Sequence, residues 1–357
     1  MTCREGTPVE TGPGATLSLV KMHGCGNDYV FVDTVGGPGL PRDIDLPRLA
    51  VELSDRHFGV GADGLILISR APSGRLAMRM WNADGSEGEM CGNGMRCLAA
   101  YVFAEGYVRE TRFEVETRAG VIVPEVVPAP GPERRVVKVT VDMGPPREVR
   151  EGLELVVEGG PAAGVYRGTY VSMGNPHLVL IVPDASEVEV TLVGPALESH
   201  PAFPDRTNVE FVEVVSPERL RMRVWERGSG LTLASGTGAS ASLVAAASAG
   251  FTGRRATVVA DGGELEVEWT PAGSVRLSGP AVEVFRATYS RPLPRLGRDA
   301  AGPADLAGGG TACEDSRPCP EGASVPLRGD RPQAEGSRRA RGGRHQPGDR
   351  GPRPPHA

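Results

Sequence analysis

Two segments of this 357-residue chain place a chemically active side chain at what reads as the start of a helix: Cys91-Gly92-Asn93-Gly94 and Ser235-Gly236-Thr237-Gly238. A helix N-terminus exposes free N–H groups and a partial positive charge, which attract anions and favour a thiolate. The glycines let the backbone approach a ligand closely. A carboxylate gripped between two such helix starts is a physically sensible site. If that carboxylate belongs to an α-amino acid, the same donors stabilise the enolate charge that forms when the α-proton leaves. Inversion then needs one group to take the proton from one face and another to deliver a proton to the opposite face. The chemistry to expect is racemisation or epimerisation of a small amino-acid substrate.

The elements around these turns form a repeat. Met78-Arg79-Met80-Trp81 recurs as Met222-Arg223-Val224-Trp225, an offset of 144. Cys91 and Ser235 keep that offset, as do Gly106-Tyr107 and Gly250-Phe251, while Gly26-Asn27 and Gly174-Asn175 pair at 148. The body therefore reads as two copies of one fold facing each other. After Cys91, the apolar residues Met95, Leu98, Ala99, Val102 and Phe103 have helical spacing, and Gly106 sits where a C-cap glycine belongs. The run 239–249 is helix-forming and ends at Gly250 in the same way. A shorter helix is expected over 47–54. Segments 113–117, 136–142, 170–173, 178–182, 208–215, 258–260 and 265–269 alternate or are β-branched and read as strands. This is an α+β pattern rather than alternating βαβ units.

Composition narrows the reading further. Hydrophobic residues at 39% and charged residues at 24% fit a soluble globular body, and a net charge of −6 argues against nucleic acid as the main partner. No apolar run is long enough to span a membrane, and the first twenty residues hold no secretory signal, so the cytoplasm is the expected compartment. Lys21 and Lys138 are the only lysines, and both lie in strand-like runs with no phosphate-cradling loop beside them. A pyridoxal-phosphate enzyme needs a Schiff-base lysine, so that cofactor is not expected. The six cysteines show neither C-x-x-C nor zinc spacing, so no metal site is expected either. Gly59-Val60-Gly61-Ala62-Asp63-Gly64 fits G-x-G-x-x-G but leads into the strand-like Leu65–Ile68, which fails the structural test for a dinucleotide site. Residues 1–15 read as a flexible N-terminus, and 291–357, with 12 glycines and 11 prolines, as a disordered tail. Between them, 16–135 and 136–280 read as the two domains, with a strand near 281–290 returning to the first.

Several blocks carry a family resemblance. Residues 21–30 (KMHGCGNDYV), 58–65 (FGVGADGL), 81–87 (WNADGSE), 90–97 (MCGNGMRC), 172–177 (SMGNPH), 206–211 (RTNVEF) and 224–228 (VWERG) resemble diaminopimelate epimerase. The match runs in order from about 17 to 288. It implies two similar domains, each a β-barrel-like sheet around a central helix, with the site in the cleft between them. It implies a homodimer and cofactor-independent conversion of L,L-diaminopimelate to meso-diaminopimelate. Cys91 would be one of two catalytic bases, and Gly92, Asn93, Gly236 and Thr237 would hold the α-carboxylate. Asn27, Asn82, Asn175, Asn208, Glu226 and Arg227 would bind the substrate's two ends.

One position departs from the family, which has a second catalytic cysteine where this chain has Ser235. A hydroxyl is barely ionised at neutral pH, so Ser235 should be a poor base although it can still donate a proton. Epimerisation that is slow or unequal in its two directions is the expectation. A one-base isomerase or dehydratase of the same fold, and a non-catalytic amino-acid-binding protein, remain open alternatives.

Overall fold

The computed structural model describes residues 16–36, 39–131 and 134–296. The expectations for 1–15 and for the tail beyond 296 lie outside these residues. The first half runs β1 (Leu17–Gly24), β2 (Asn27–Asp33), α1 (Leu46–Ser54), β3 (Gly64–Arg70), β4 (Leu76–Asn82), β5 (Glu87–Gly88), α2 (Gly92–Ala104), β6 (Val115–Thr117) and β7 (Gly120–Ile122). A hairpin of β8 (Glu125–Pro128) and β9 (Val136–Asp142) follows. The second half runs β10 (Glu148–Val157), β11 (Gly164–Ser172), β12 (Pro176–Val182), α3 (Val190–Glu198), β13 (Asn208–Ser216), β14 (Arg219–Glu226) and β15 (Gly230–Thr232). It continues with α4 (Gly236–Ser248), β16 (Arg255–Ala260), β17 (Gly263–Trp269) and β18 (Val275–Gly279), and the chain returns as β19 (Val282–Tyr289).

The sequence repeat is a repeat of topology. In the first half β2 runs parallel to β3 and β4 to β6; in the second, β12 runs parallel to β13 and β14 to β16. The sheet orders are β19-β1-β2-β3-β4-β6-β7, with β5 on β4, and β10-β11-β12-β13-β14-β16-β17-β18-β9-β8, with β15 on β14. Each sheet curls around one helix. Met95, Leu98 and Val102 of α2 pack with Phe31, Ile66 and Met78, while Leu243 and Val244 of α4 pack with Val179, Met222 and Val258. Burying side chains of this size contributes roughly 1.5–3 kcal/mol each, which makes the two central helices the anchors of the fold. The barrel-like expectation needs one correction: the sheets wrap their helices but stay open, because the strand order ends at β7 and β8 without returning to the first strand.

Two further helices lie outside the sheets' inner faces. Helix α1 is capped by Asp45, which accepts from the Arg48 N–H, and has a proline in its first turn. Helix α3 was not legible in the sequence: it contains Pro195 and lacks a side-chain cap. Its Gly194 is required by packing, since a Cβ there would stand 2.5 Å from the Trp225 ring.

The expected boundary between 135 and 136 falls inside the β8–β9 hairpin, which continues the second sheet while Val126, Val139 and Val141 pack into the core around α2. Strand β19 pairs antiparallel with β1 from Leu17↔Tyr289 to His23↔Val282. Beyond it, residues 291–296 lie against the α1 approach: Asp45 N–H donates to Pro294 O at 3.0 Å and Leu296 N–H to Asp43 O at 2.8 Å. No helix among the described residues is long and apolar enough to cross a membrane.

Candidate active site

The central helices begin with matching caps. Cys91 has φ −130° and ψ 123°, and Ser235 has φ −128° and ψ 124°. Cys91 Sγ accepts from the Gly94 N–H at 3.4 Å, and Ser235 Oγ from the Gly238 N–H at 3.2 Å. The following glycines leave no room for a side chain. A Cβ at residue 94 would stand 2.5 Å from Ile66 Cδ1, and one at 238 would stand 2.7 Å from Glu210 Oε1 and 3.1 Å from Ser235 Oγ.

The two helix starts face each other. A Cβ at Gly236 would lie 3.6 Å from Asn93 Oδ1, a buried oxygen with no hydrogen-bond partner among the described residues. Leu277 sits beside both, 3.8 Å from the Cβ position of Gly92 and 3.0 Å from that of Gly236.

The repeated Gly-Asn turns deliver one asparagine to each helix start. Asn27 Oδ1 accepts from Asn93 Nδ2 at 3.0 Å and lies 3.7 Å from Cys91 Sγ, while its amide donates to Asp63 Oδ2 at 2.7 Å. Asn175 Nδ2 donates to Thr237 Oγ1 at 3.3 Å, and its Oδ1 is bonded to His177 Nε2 at 3.1 Å. Behind that pair, fully buried His177 meets fully buried Glu210 through Nδ1 at 2.7 Å.

Asn208, Glu226 and Arg227 form a second group. Asn208 joins β12 to the loop after β14 by donating to Pro176 O at 2.8 Å and accepting from the Arg227 N–H at 2.9 Å. Thr232 donates to Glu226 Oε1 at 2.6 Å, and Arg227 reaches Asp205 O at 2.9 Å. Glu198 at the end of α3 fixes this loop, accepting from Trp225 Nε1 at 2.7 Å and the Gly228 N–H at 3.0 Å. Asn82, at the end of β4, pairs in register with Gly64, beside the Asp63 that accepts from Asn27, and its exposed amide donates to Ser86 Oγ at 2.9 Å.

The electrostatics show which groups share this space. Burial pushes the Cys91 thiol above its ordinary value; the Tyr29 hydroxyl and the Gly94 and Asn93 N–H groups pull it back, and the Glu226 charge raises it again. Glu226 is also raised, first by burial and then by Glu210 and Asp63, with the Thr232 hydroxyl opposing. Asp63 is raised chiefly by burial. A protonation-sensitive cluster therefore surrounds the helix starts, as acid–base chemistry requires.

The sequence reading missed Tyr29, Asp63, Glu198 and Glu210. One signal for Tyr29 was available, because at the 148-residue offset it occupies the place of His177. Its hydroxyl donates to Cys91 Sγ at 3.3 Å. The other three act across the fold and leave no local pattern. The two tryptophans of the repeat are packed against protein, Trp81 in the core and Trp225 against α3. Cys97 is fully buried in the core around α2.

Comparison with known proteins fits this geometry. The family described as diaminopimelate epimerase matches residues 19–149 and 169–284. A diaminopimelate epimerase of Pelotomaculum thermopropionicum is 49% identical over 283 residues, covering 76% of this chain and 99% of that protein. Among solved structures, a phenazine biosynthesis protein of the PhzF family from Bacillus anthracis aligns with TM-score 0.60 and 13% identity, over 77% of this chain and 99% of its own. A hydroxyproline epimerase from Agrobacterium vitis aligns with TM-score 0.58 and 16% identity, over 77% and 92%. At those identities the two structures share the fold.

Proposed function

This chain belongs to the diaminopimelate epimerase family, and from that premise we propose that it interconverts the L,L and meso forms of diaminopimelate by removing and returning one α-proton without a cofactor. The chain is an isomerase of the epimerase kind. The observation that supports this substrate-level reading best is the pair of matching caps, Cys91 and Ser235, on helix starts that meet at Asn93 and Gly236. In this reading the free N–H groups of Gly92, Asn93, Gly236 and Thr237 hold the α-carboxylate and accept enolate charge as the proton leaves. Cys91 acts on one face and Ser235 on the other. Asn27 and Asn175 border the reacting centre, while Asn82, Asn208, Glu226 and Arg227 serve the remaining polar groups. Arg227 suits a distal carboxylate and Glu226 an ammonium.

Ser235 makes the two faces unequal. Its hydroxyl donates a proton more readily than it removes one, so inversion should be slow or strongly directional. The same substitution favours a second reading, in which Cys91 alone exchanges the α-proton and configuration is retained. Incubation with L,L-diaminopimelate in deuterated water separates them. Meso product carrying α-deuterium is the expected outcome. Exchange with retention supports the one-base enzyme, and the absence of both exchange and inversion rejects catalysis on this substrate.

A further inference from the structure

We infer that Tyr29 is a further catalytic residue, whose hydroxyl donates to Cys91 Sγ and favours the thiolate form in which that sulfur acts as the base; the assignment rests on the reading of Cys91 as a base. Tyr29 is 5% exposed, and the hydrogen bond its hydroxyl makes runs to Cys91 Sγ at 3.3 Å. A buried phenol needs such a partner, and here the partner is the reacting atom. Burial and the neighbouring Cys91, Asp63 and Glu226 charges keep the phenol protonated far above its ordinary range. Facing a thiolate it can therefore only donate.

The proton accounting is simple. As Cys91 forms its S–H bond, the substrate Cα–H bond breaks and the electron pair stays on the substrate. Tyr29 keeps its proton throughout, and only its hydrogen bond to sulfur weakens. The hydroxyl thus raises the fraction of Cys91 ready to act as a base.

Among the described residues the second half has no counterpart of this contact. His177 occupies the repeat position of Tyr29, but its ring nitrogens are engaged by Glu210 and Asn175. Ser235 Oγ accepts from the Gly238 N–H and receives no side-chain donor of this kind among the described residues. The donor is one-sided, in keeping with Cys91 rather than Ser235 acting as the base.

The test uses the full chain and the Tyr29→Phe variant, which keeps the ring in its place. The pH dependence of iodoacetamide alkylation, read by mass spectrometry on the Cys91 peptide, reports the thiolate directly. The variant should alkylate about tenfold more slowly near neutral pH, with its midpoint moved to higher pH by about one unit. Deuterium exchange into L,L-diaminopimelate should fall by about the same factor and recover as pH rises, while KM changes little. A fluorinated tyrosine at position 29, a stronger donor, should move the midpoint the opposite way and keeps the test decisive if the phenylalanine variant folds poorly. Coincident alkylation profiles for all three proteins overturn the assignment. A wild-type protein inert toward diaminopimelate would count against the proposed function alone, because the alkylation profiles still decide the role of Tyr29.

Discussion

Asn93 donates to Asn27 Oδ1 across 3.0 Å, tying the first turn of α2 to the β1–β2 turn. Asn175 reaches Thr237 in the second half, so each helix start is held by the repeated Gly-Asn turn of its own half. The β1–β2 turn also crosses between the halves. Cys25 is buried in the core around α4, and a Cβ at Gly26 would stand 2.7 Å from Leu233, two residues before Ser235. One turn therefore registers the Cys91 helix against the loop that carries Ser235.

Replacing the hydroxyl at 235 with a thiol should restore a two-base enzyme. Ser235→Cys keeps the cap, since Cys91 accepts from its own i+3 N–H at 3.4 Å in the same backbone conformation. Inversion in deuterated water should accelerate by about 10²-fold or more, within the range of one acid–base group. An unchanged inversion rate would show that residue 235 is not the second proton-transfer group.

Raising the pH should move activity and stability in opposite directions. Burial raises the Cys91 thiol, so kcat/KM should climb as pH rises through a folded value above the ordinary 9.0. Burial also raises Cys25, and it pushes Cys97 up to about 12. The unfolded chain releases these protons at the ordinary thiol value while the folded chain keeps them. Their contribution to stability is therefore present below that value and lost as pH rises past it. Urea midpoints measured at neutral and alkaline pH should show the decline, and equal midpoints would contradict it.

His177→Ala should cost about 3–5 kcal/mol in urea unfolding, because it leaves the Glu210 carboxylate fully buried without its partner. The double variant with Glu210→Gln should recover much of that loss. If the single variant unfolds like the wild type, the buried pair does not support the floor beneath α4.

The sequence alone determined the local patterns. Helical spacing after Cys91 and the glycine-led run after Ser235 marked α2 and α4, and β-branched runs marked β9, β12 and β13. The 144-residue offset announced the duplicated topology, because a repeated unit must pack its apolar faces in the same way. Helix α3 stayed hidden because Pro195 and Gly194 break the local propensity, and only packing against Trp225 explains the glycine.

Tertiary structure decided the contacts that depend on strand order and register. Tyr29 meets Cys91 from 62 residues away, and His177 meets Glu210 from 33 residues away, because β2–β3 and β12–β13 pair in parallel beneath their helices. No periodicity encodes such a meeting. Whether the sheets closed was likewise fixed by long-range pairing, which joins β19 to β1 and leaves β7 and β8 as ends. Local sequence sets which face of a segment is apolar, and only the assembled core sets which buried polar group finds which partner.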